Sequence, residues 1–248
     1  MAQHAKLAAS AASRWMACPG SVQLCANLPN TSSIYSDFGT MAHSVASYCL
    51  RKGLNASAIL EDYADDVQSY IDFCHSEMDQ SQDVVAIELD VSKALRQIDP
   101  DIGGTLDFCR WRRTTGELLV VDFKFGSGVR VDVRGNKQLR TYGVGALLHF
   151  GGKGIDRVRV VVHQPRLENP EHRHTEDVFP AIELLDFVAD MRIAALASRS
   201  PSAPVVPGVD QCLWCPAAKA KICDKAVKFK PNKPVGPRVT AEDFEILP

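Results

Sequence analysis

Apolar residues repeat with a helical period up to about residue 78 and with a period of two directly after it. The order in which the two periods alternate from there on is what most restricts the fold. Over residues 36–51, Phe38, Met41, Ala42, Val45, Ala46 and Cys49 recur at helical spacing, and Gly53 suits the stop. A second helix is expected over 56–78, with Leu60, Tyr63, Val67, Tyr70, Ile71, Cys74 and Met78 on one face. Three β-rich runs follow at 84–91, 104–112 and 117–125, and Thr114-Thr115-Gly116 makes a hairpin turn between the last two. Residues 134–150 return to the helical period and stop at Gly151-Gly152, after which 156–163 is a buried strand. A hairpin makes its strands antiparallel, whereas a helical crossover normally joins parallel neighbours. The sheet must therefore be mixed, and the order αβββαβ is that of an α/β sandwich.

Residues 173–179 read as an added edge strand. Pro180 sits at the first turn of a helix reaching about 198, and Pro201, Pro204 and Pro207 then break regular structure. At the other end, 13–21 is a short helical or looped segment interrupted by Pro19 and Gly20. The whole is expected to be one domain over 1–224 with its core at about 36–165. A basic, proline-rich tail over 225–248, with Lys225, Lys228, Lys230, Lys233 and Arg238, is expected to be flexible.

At 248 residues and 46% hydrophobic the chain can bury a substantial core. A formal charge of -2 gives it no global cationic field. Any nucleic-acid contact must come from a local groove, for which Arg112, Arg130, Arg134, Lys137 and Arg140 are the candidates. No apolar run approaches the roughly 20 residues that cross a bilayer, so no membrane partner and a cytoplasmic location are expected.

Two strand-borne carboxylates and a lysine carry the first chemical signal. Asp122 and Lys124 are two apart on a strand and share a face, and Asp107 on the neighbouring strand can reach that face. Carboxylates hold a hard divalent ion, and an ammonium beside it stabilises an attacking oxygen, which is what phosphodiester hydrolysis requires. Alternatively, Asp107 and Lys124 form a cross-strand ion pair. Glu88, between apolar strand neighbours, faces either the metal or, as the alternation favours, solvent. Gln138 and Tyr142 are four apart and share a helical face. The string His163-Gln164-Pro165-Arg166 either touches DNA phosphates or, the favoured reading, simply terminates a strand, and Arg14 and Trp15 either stack on nucleic acid or pack.

The set Gly39-Thr40-Met41-Ala42-His43, Gly104-Thr105-Leu106-Asp107, Asp122-Phe123-Lys124 and Gln138-Leu139-Arg140-Thr141-Tyr142 resembles, in order, the motifs of RecB-type nucleases of the PD-(D/E)XK superfamily. The resemblance spans about 13–224 and is strongest to phage-type exonucleases, with likeness to CRISPR-adaptation nucleases as well. It implies a restriction-endonuclease-like core and a DNA exonuclease in phage recombination, replication or end processing, in a bacterial host. It further implies Mg or Mn held by His43, Asp107, Asp122 and the Phe123 carbonyl, with Glu88 as a further candidate. Lys124 would act on the nucleophilic water, and Gln138, Tyr142 and Arg140 on the DNA. A ring-shaped homo-oligomer or a recombination-protein partner is compatible with it.

Cys212-x-x-Cys215 followed by Cys223, with Cys18 far upstream, resembles the cysteine set of the iron-sulfur members of that group and implies a 4Fe-4S cluster joining 13–25 to 208–224. Structural zinc is the alternative, since four thiolates satisfy it equally. Cys25, Cys49, Cys74 and Cys109 lie in apolar patterns and read as core residues, with Cys25 the reserve ligand. Outside enzymes altogether, a DNA-binding or assembly protein on a nuclease scaffold, or a zinc-stabilised interaction module, remains open.

Overall fold

In the computed structural model, which describes residues 5–29, 34–78, 82–126 and 129–226, the change of period after residue 78 becomes a change from helical layer to sheet. The chain runs through β1 (Leu7–Ala8), α1 (Ala12–Ala17), α2 (Gly20–Cys25), α3 (Ile34–Lys52), α4 (Ala64–Ser76), β2 (Asp83–Asp90) and α5 (Ser92–Leu95). It continues through β3 (Ile102–Gly103), β4 (Thr105–Arg112), β5 (Glu117–Phe123), α6 (Lys137–His149), β6 (Arg157–His163), β7 (His174–Pro180), α7 (Glu183–Ser198), α8 (Val209–Leu213) and α9 (Pro216–Lys219).

The main sheet has the order β2-β4-β5-β6-β7. Strand β4 pairs antiparallel with β2 and β5, β6 pairs antiparallel with β7, and β5 and β6 are parallel because α6 carries the chain back across the sheet. The sheet is therefore mixed, as the element order requires. The β4–β5 hairpin closes through Gly116 at φ 64, a left-handed conformation that glycine adopts without steric cost.

Both faces of the sheet are covered, which is why β5 reads as a nearly continuous apolar run. Leu119, Val121 and Phe123 point into the core made with α3 and α4, against Ala42, Ala46, Val67, Tyr70 and Ile71. Leu118 and Val120 point the other way, into the core made with α6 and α7, against Leu139, Val144, Leu184 and Met191. Each fully buried aliphatic or aromatic side chain contributes about 1.5–3 kcal/mol. Asp122 is the one charged residue in this buried run, at 3% exposure, and its burial demands compensation. Helix α6 lies close to the chain at Val91: a Cβ on Gly145 would stand 2.7 Å from that of Val91.

Three sequence expectations are corrected. The helix expected over 56–78 is broken, because Tyr63 takes φ 60 and a left-handed residue cannot continue a right-handed helix. Helix α4 starts after it, with Asp65 and Asp66 in the first turn, at the positive end of the helix dipole. Pro180 ends edge strand β7 instead of opening a helix; having no N–H to give, it is tolerated at an edge. Cys25 is half-buried and lies outside both cores, whereas Cys49, Cys74 and Cys109 are buried in them.

The first and last described segments of the chain meet. Helix α1 packs on α7 and α8, and α2 packs on α7 and α9. Trp15 is buried there and donates from Nε1 to the Ala8 carbonyl at 3.0 Å, so it serves packing. Gly20 N donates to Pro204 O at 2.9 Å, and Gln23 Nε2 to Ser198 O at 2.7 Å. Among the described residues no helix is long and apolar enough to cross a membrane. Residues 227–248, most of the basic tail, lie outside the described residues.

Candidate metal centre

Ladder pairing between β4 and β5 stops at Phe108–Val121, so strand β4 no longer accompanies the last residues of β5. The Asp107 carboxylate fills the opening: Oδ2 accepts the Phe123 N–H at 2.7 Å, and Oδ1 lies 3.0 Å from His43 Nδ1. His43 comes from the middle of α3, and its ring packs on that of Phe123 at 5.2 Å between centroids.

Glu88 joins them by way of an unusual backbone. It takes φ 53 inside β2, a conformation costing roughly 1–2 kcal/mol for a residue with a Cβ. The strict alternation is broken there, since Ile87 packs into the α3–α4 core and Leu89 into the opposite one. The carboxylate is thereby turned toward His43 and Asp107, and one donor atom from each of the three lies within 4.8 Å of the others. The cleft around them is lined also by Ala46, Ser47, Tyr70 and Phe123. The expectation that Glu88 faces solvent is thus overturned: alternation governs a regular strand, and this residue is not in one.

On the other side of β5, Asp122 Oδ2 lies 2.9 Å from Lys124 Nζ. Gln138 bridges the pair, donating from Nε2 to Asp122 Oδ1 at 2.8 Å and accepting from Lys124 Nζ at 3.1 Å on Oε1, with the Tyr142 hydroxyl 3.5 Å from Nε2. Asn136 caps α6 by accepting the Leu139 N–H at 3.1 Å, which sets Gln138 in the first turn, facing the strand end. Lys124 is therefore partnered by Asp122, while Asp107 is engaged with His43 and Phe123.

The charges reinforce one another. Burial opposes the charged form of His43, but the field and hydrogen bond of Asp107 outweigh it and raise its pKa. Burial raises the Glu88 pKa, and Asp107 adds to that. Asp122 is raised by burial and by Asp107 against the pull of Lys124. Lys124 loses from burial, yet Asp122 and Asp107 hold its pKa above the ordinary lysine value. Burial and the nearby Asp122 and Asp107 keep the Tyr142 hydroxyl protonated. Glu88 and Asp107 share one cleft with His43, and Asp122 lies across β5 from them; a hard divalent cation is the ligand that the His/Glu/Asp donor set suits.

Other candidates go elsewhere. Arg140 pairs with Glu183 at 3.2 Å and lies over the Phe179 ring, so it fastens α6 to the start of α7. Arg112 sits at the far end of β4 with Asp83 at 3.2 Å. Gln164 is buried and clamps the loop after β5, donating to Gly126 O and Val129 O at 3.1 and 2.8 Å. The guanidinium of Arg166 stacks over Phe38, Tyr63 and Phe125.

Where the first and last described segments meet, Cys215 Sγ lies 4.0 Å from Cys25 Sγ, and Arg14 Nη1 donates to Ser21 Oγ at 3.0 Å, with Cys25 Sγ at 3.9 Å. The hydrogen bond shared with Cys25 lowers the Cys215 thiol pKa. Cys18 Sγ accepts from Val206 N–H at 3.2 Å and Cys212 Sγ from Gly208 N–H at 3.5 Å. Cys18 and Cys215 are buried, and Cys212 and Cys223 are half-buried. Among the described residues no three cysteine sulfurs lie within 4.8 Å of one another, and the close contact is Cys25–Cys215 instead of a pair within the expected set.

Fold and site together define a mixed α/β protein with a His/Glu/Asp candidate metal centre at the carboxyl end of a central strand. A family model described as "Protein of unknown function (DUF2800)" matches residues 4–233, and the chain belongs to that family.

Proposed function

We propose that this protein is a divalent-metal-dependent deoxyribonuclease of the PD-(D/E)XK type, an exonuclease resembling the RecB group, acting on DNA ends in recombination or replication. The observation that carries this reading is the approach of His43, Glu88 and Asp107 donors to within 4.8 Å of one another beside the linked Asp122–Lys124–Gln138 group. His43, Asp107 and Glu88 would hold Mg or Mn, with Asp122 and the Phe123 carbonyl completing the ligand set. When bound, the ion supplies Lewis acidity toward water and phosphate. Lys124 stabilises negative charge as it develops on the attacking oxygen, and Gln138 fixes Lys124 against Asp122. Tyr142, kept protonated, donates to a phosphate or sugar oxygen of the strand.

Cys18, Cys212, Cys215 and Cys223 would hold a structural 4Fe-4S cluster that fastens the ends of the chain, or zinc in its place. A broad absorbance band near 400 nm in anaerobically prepared protein distinguishes the two. A cytoplasmic site of action in a bacterial host accords with thiols kept reduced. Digestion of end-labelled DNA with Mn tests the activity: Asp107→Asn and Asp122→Asn are each expected to abolish it while leaving the circular dichroism spectrum unchanged. Undiminished digestion by either variant refutes the proposal.

A further inference from the structure

Strands β6 and β7 place His163 directly opposite His174, and the two Nδ1 atoms approach to 3.3 Å. Which nitrogens carry hydrogen is fixed from α4. The Ser69 hydroxyl gives its one proton to the Asp66 carbonyl at 2.7 Å, yet its oxygen also lies 3.0 Å from His163 Nε2. Ser69 must accept there, so His163 carries its hydrogen on Nε2. A neutral imidazole has one N–H. His163 Nδ1 therefore presents a lone pair toward His174.

The ring stays neutral, because burial and the neighbouring His174 push the His163 pKa down to about 4. Phe73 stacks on the His163 ring at 6.0 Å and meets the His174 ring edge-on at 4.5 Å, limiting how either ring can turn. The nearby Arg159 guanidinium is answered by Glu77 and Glu176, each at 2.6 Å, so the pair faces no uncompensated cation. His163 is buried, whereas His174 reaches solvent, which leaves an entry on one side.

Two imidazole nitrogens bound at about 2.0–2.1 Å to one tetrahedral ion stand roughly 3.3–3.4 Å apart, which is the separation found here. Without an ion, His174 Nδ1–H donates to the His163 Nδ1 lone pair; moving that hydrogen to His174 Nε2 frees both Nδ1 atoms for one ion. We propose that His163 and His174 form a second metal site, for a borderline transition ion such as Zn(II), separate from the oxygen-rich cluster of His43, Glu88 and Asp107. Ser69 serves as the outer partner that fixes the tautomer of His163, a role that typically carries 10–100-fold in affinity. Water fills the remaining positions. The inference does not depend on the nuclease reading.

The test is a Zn(II) titration of the full-length protein, 15N-labelled at histidine, with excess Mg(II) present and the imidazole nitrogens read by NMR, so that binding to cysteines does not enter the readout. The His163 and His174 signals are expected to move together and saturate. His174→Ala, a change at an exposed position, should abolish the His163 response, and Ser69→Ala should weaken it about 10-fold or more. If neither ring responds, if only one does, or if the His163 response survives His174→Ala, the site does not exist.

Discussion

Replacing Glu88 by Gln asks whether the left-handed turn in β2 exists to deliver a ligand. A protein holding a divalent ion gains RT ln(1 + [M]/Kd), about 2.7 kcal/mol at 100 times Kd. For a chain of this size each kcal/mol moves Tm by about 2–4 °C, so Mn at that concentration should raise the wild-type Tm by roughly 5–11 °C over an EDTA control. Glu88→Gln keeps the side-chain shape and leaves the backbone at φ 53 undisturbed. It removes one of the anionic donors that lie within 4.8 Å of one another. A 100-fold loss of affinity at the same Mn concentration leaves RT ln 2, about 0.4 kcal/mol, or a shift of only about 1–2 °C. In EDTA the variant should melt no lower than wild type. Two carboxylates no more than 4.8 Å apart repel by about 3.5 kcal/mol or more at an effective dielectric constant near 20, and the raised Glu88 pKa has the direction that burial and this repulsion require. Calorimetric melts of both proteins in EDTA and in Mn decide it. A Glu88→Gln variant with the full wild-type Mn shift would show that Glu88 is no ligand and that the turn serves something else.

Lys124→Gln should separate chemistry from metal binding: DNA hydrolysis falls by about 100-fold or more while the Mn-dependent Tm shift persists, because the ammonium binds no cation. Loss of both would make Lys124 structural. Stability should fall as pH drops from about 6.5 to about 4, since the unfolded chain takes up a proton at His163 that the folded chain refuses in that window. The full effect is on the order of 3 kcal/mol; urea titrations at stepped pH read it, and His163→Gln should flatten that limb. Gly145→Val places a branched side chain where even a Cβ stands 2.7 Å from Val91, and should cost about 2 kcal/mol or more in urea unfolding. Leu185→Glu tests self-association through α7, whose Leu185, Ile193 and Leu196 are exposed on one face with Ile182 just before the helix. If that face joins copies of the chain, sedimentation will show a smaller species, and an unchanged species dismisses it.

The sheet was legible because period and order alone determine it. Once a hairpin and a helical crossover share strand β5, mixed pairing is unavoidable. The motif residues His43, Asp107, Asp122, Lys124, Gln138 and Tyr142 were legible as types at spacings, and the fold gathers them around the end of β5. Glu88 was misread because its placement depends on a backbone angle that no neighbour in Val85-Ala86-Ile87-Glu88-Leu89 announces. The available signal was energetic: a carboxylate in an otherwise apolar strand is costly unless it has a use. Arg140, two residues beyond Gln138 and so about 200° round α6, reaches Glu183 and Phe179 instead of the end of β5. The nearness of Cys25 to Cys215 is a tertiary fact, set by α2 packing on α9, and no spacing within either segment encodes it.

Why the site lies at the end of β5 follows from the same geometry. Midway along a strand covered on both faces, side chains of opposite parity are separated by the sheet itself, so carboxylates on the two faces cannot serve one ion. Asp122 belongs to the α6 face, whereas His43, Glu88 and Asp107 gather on the α3 side of Phe123. They come within reach of one another's charge only because β4 pairs with β5 from Phe108 onward and not before it, which opens the sheet there, with Asp107 folding into the gap to take the Phe123 N–H. Moving Asp122-Phe123-Lys124 two residues back along β5 would keep every parity and lose the site, because the β4 backbone would then stand between the two halves.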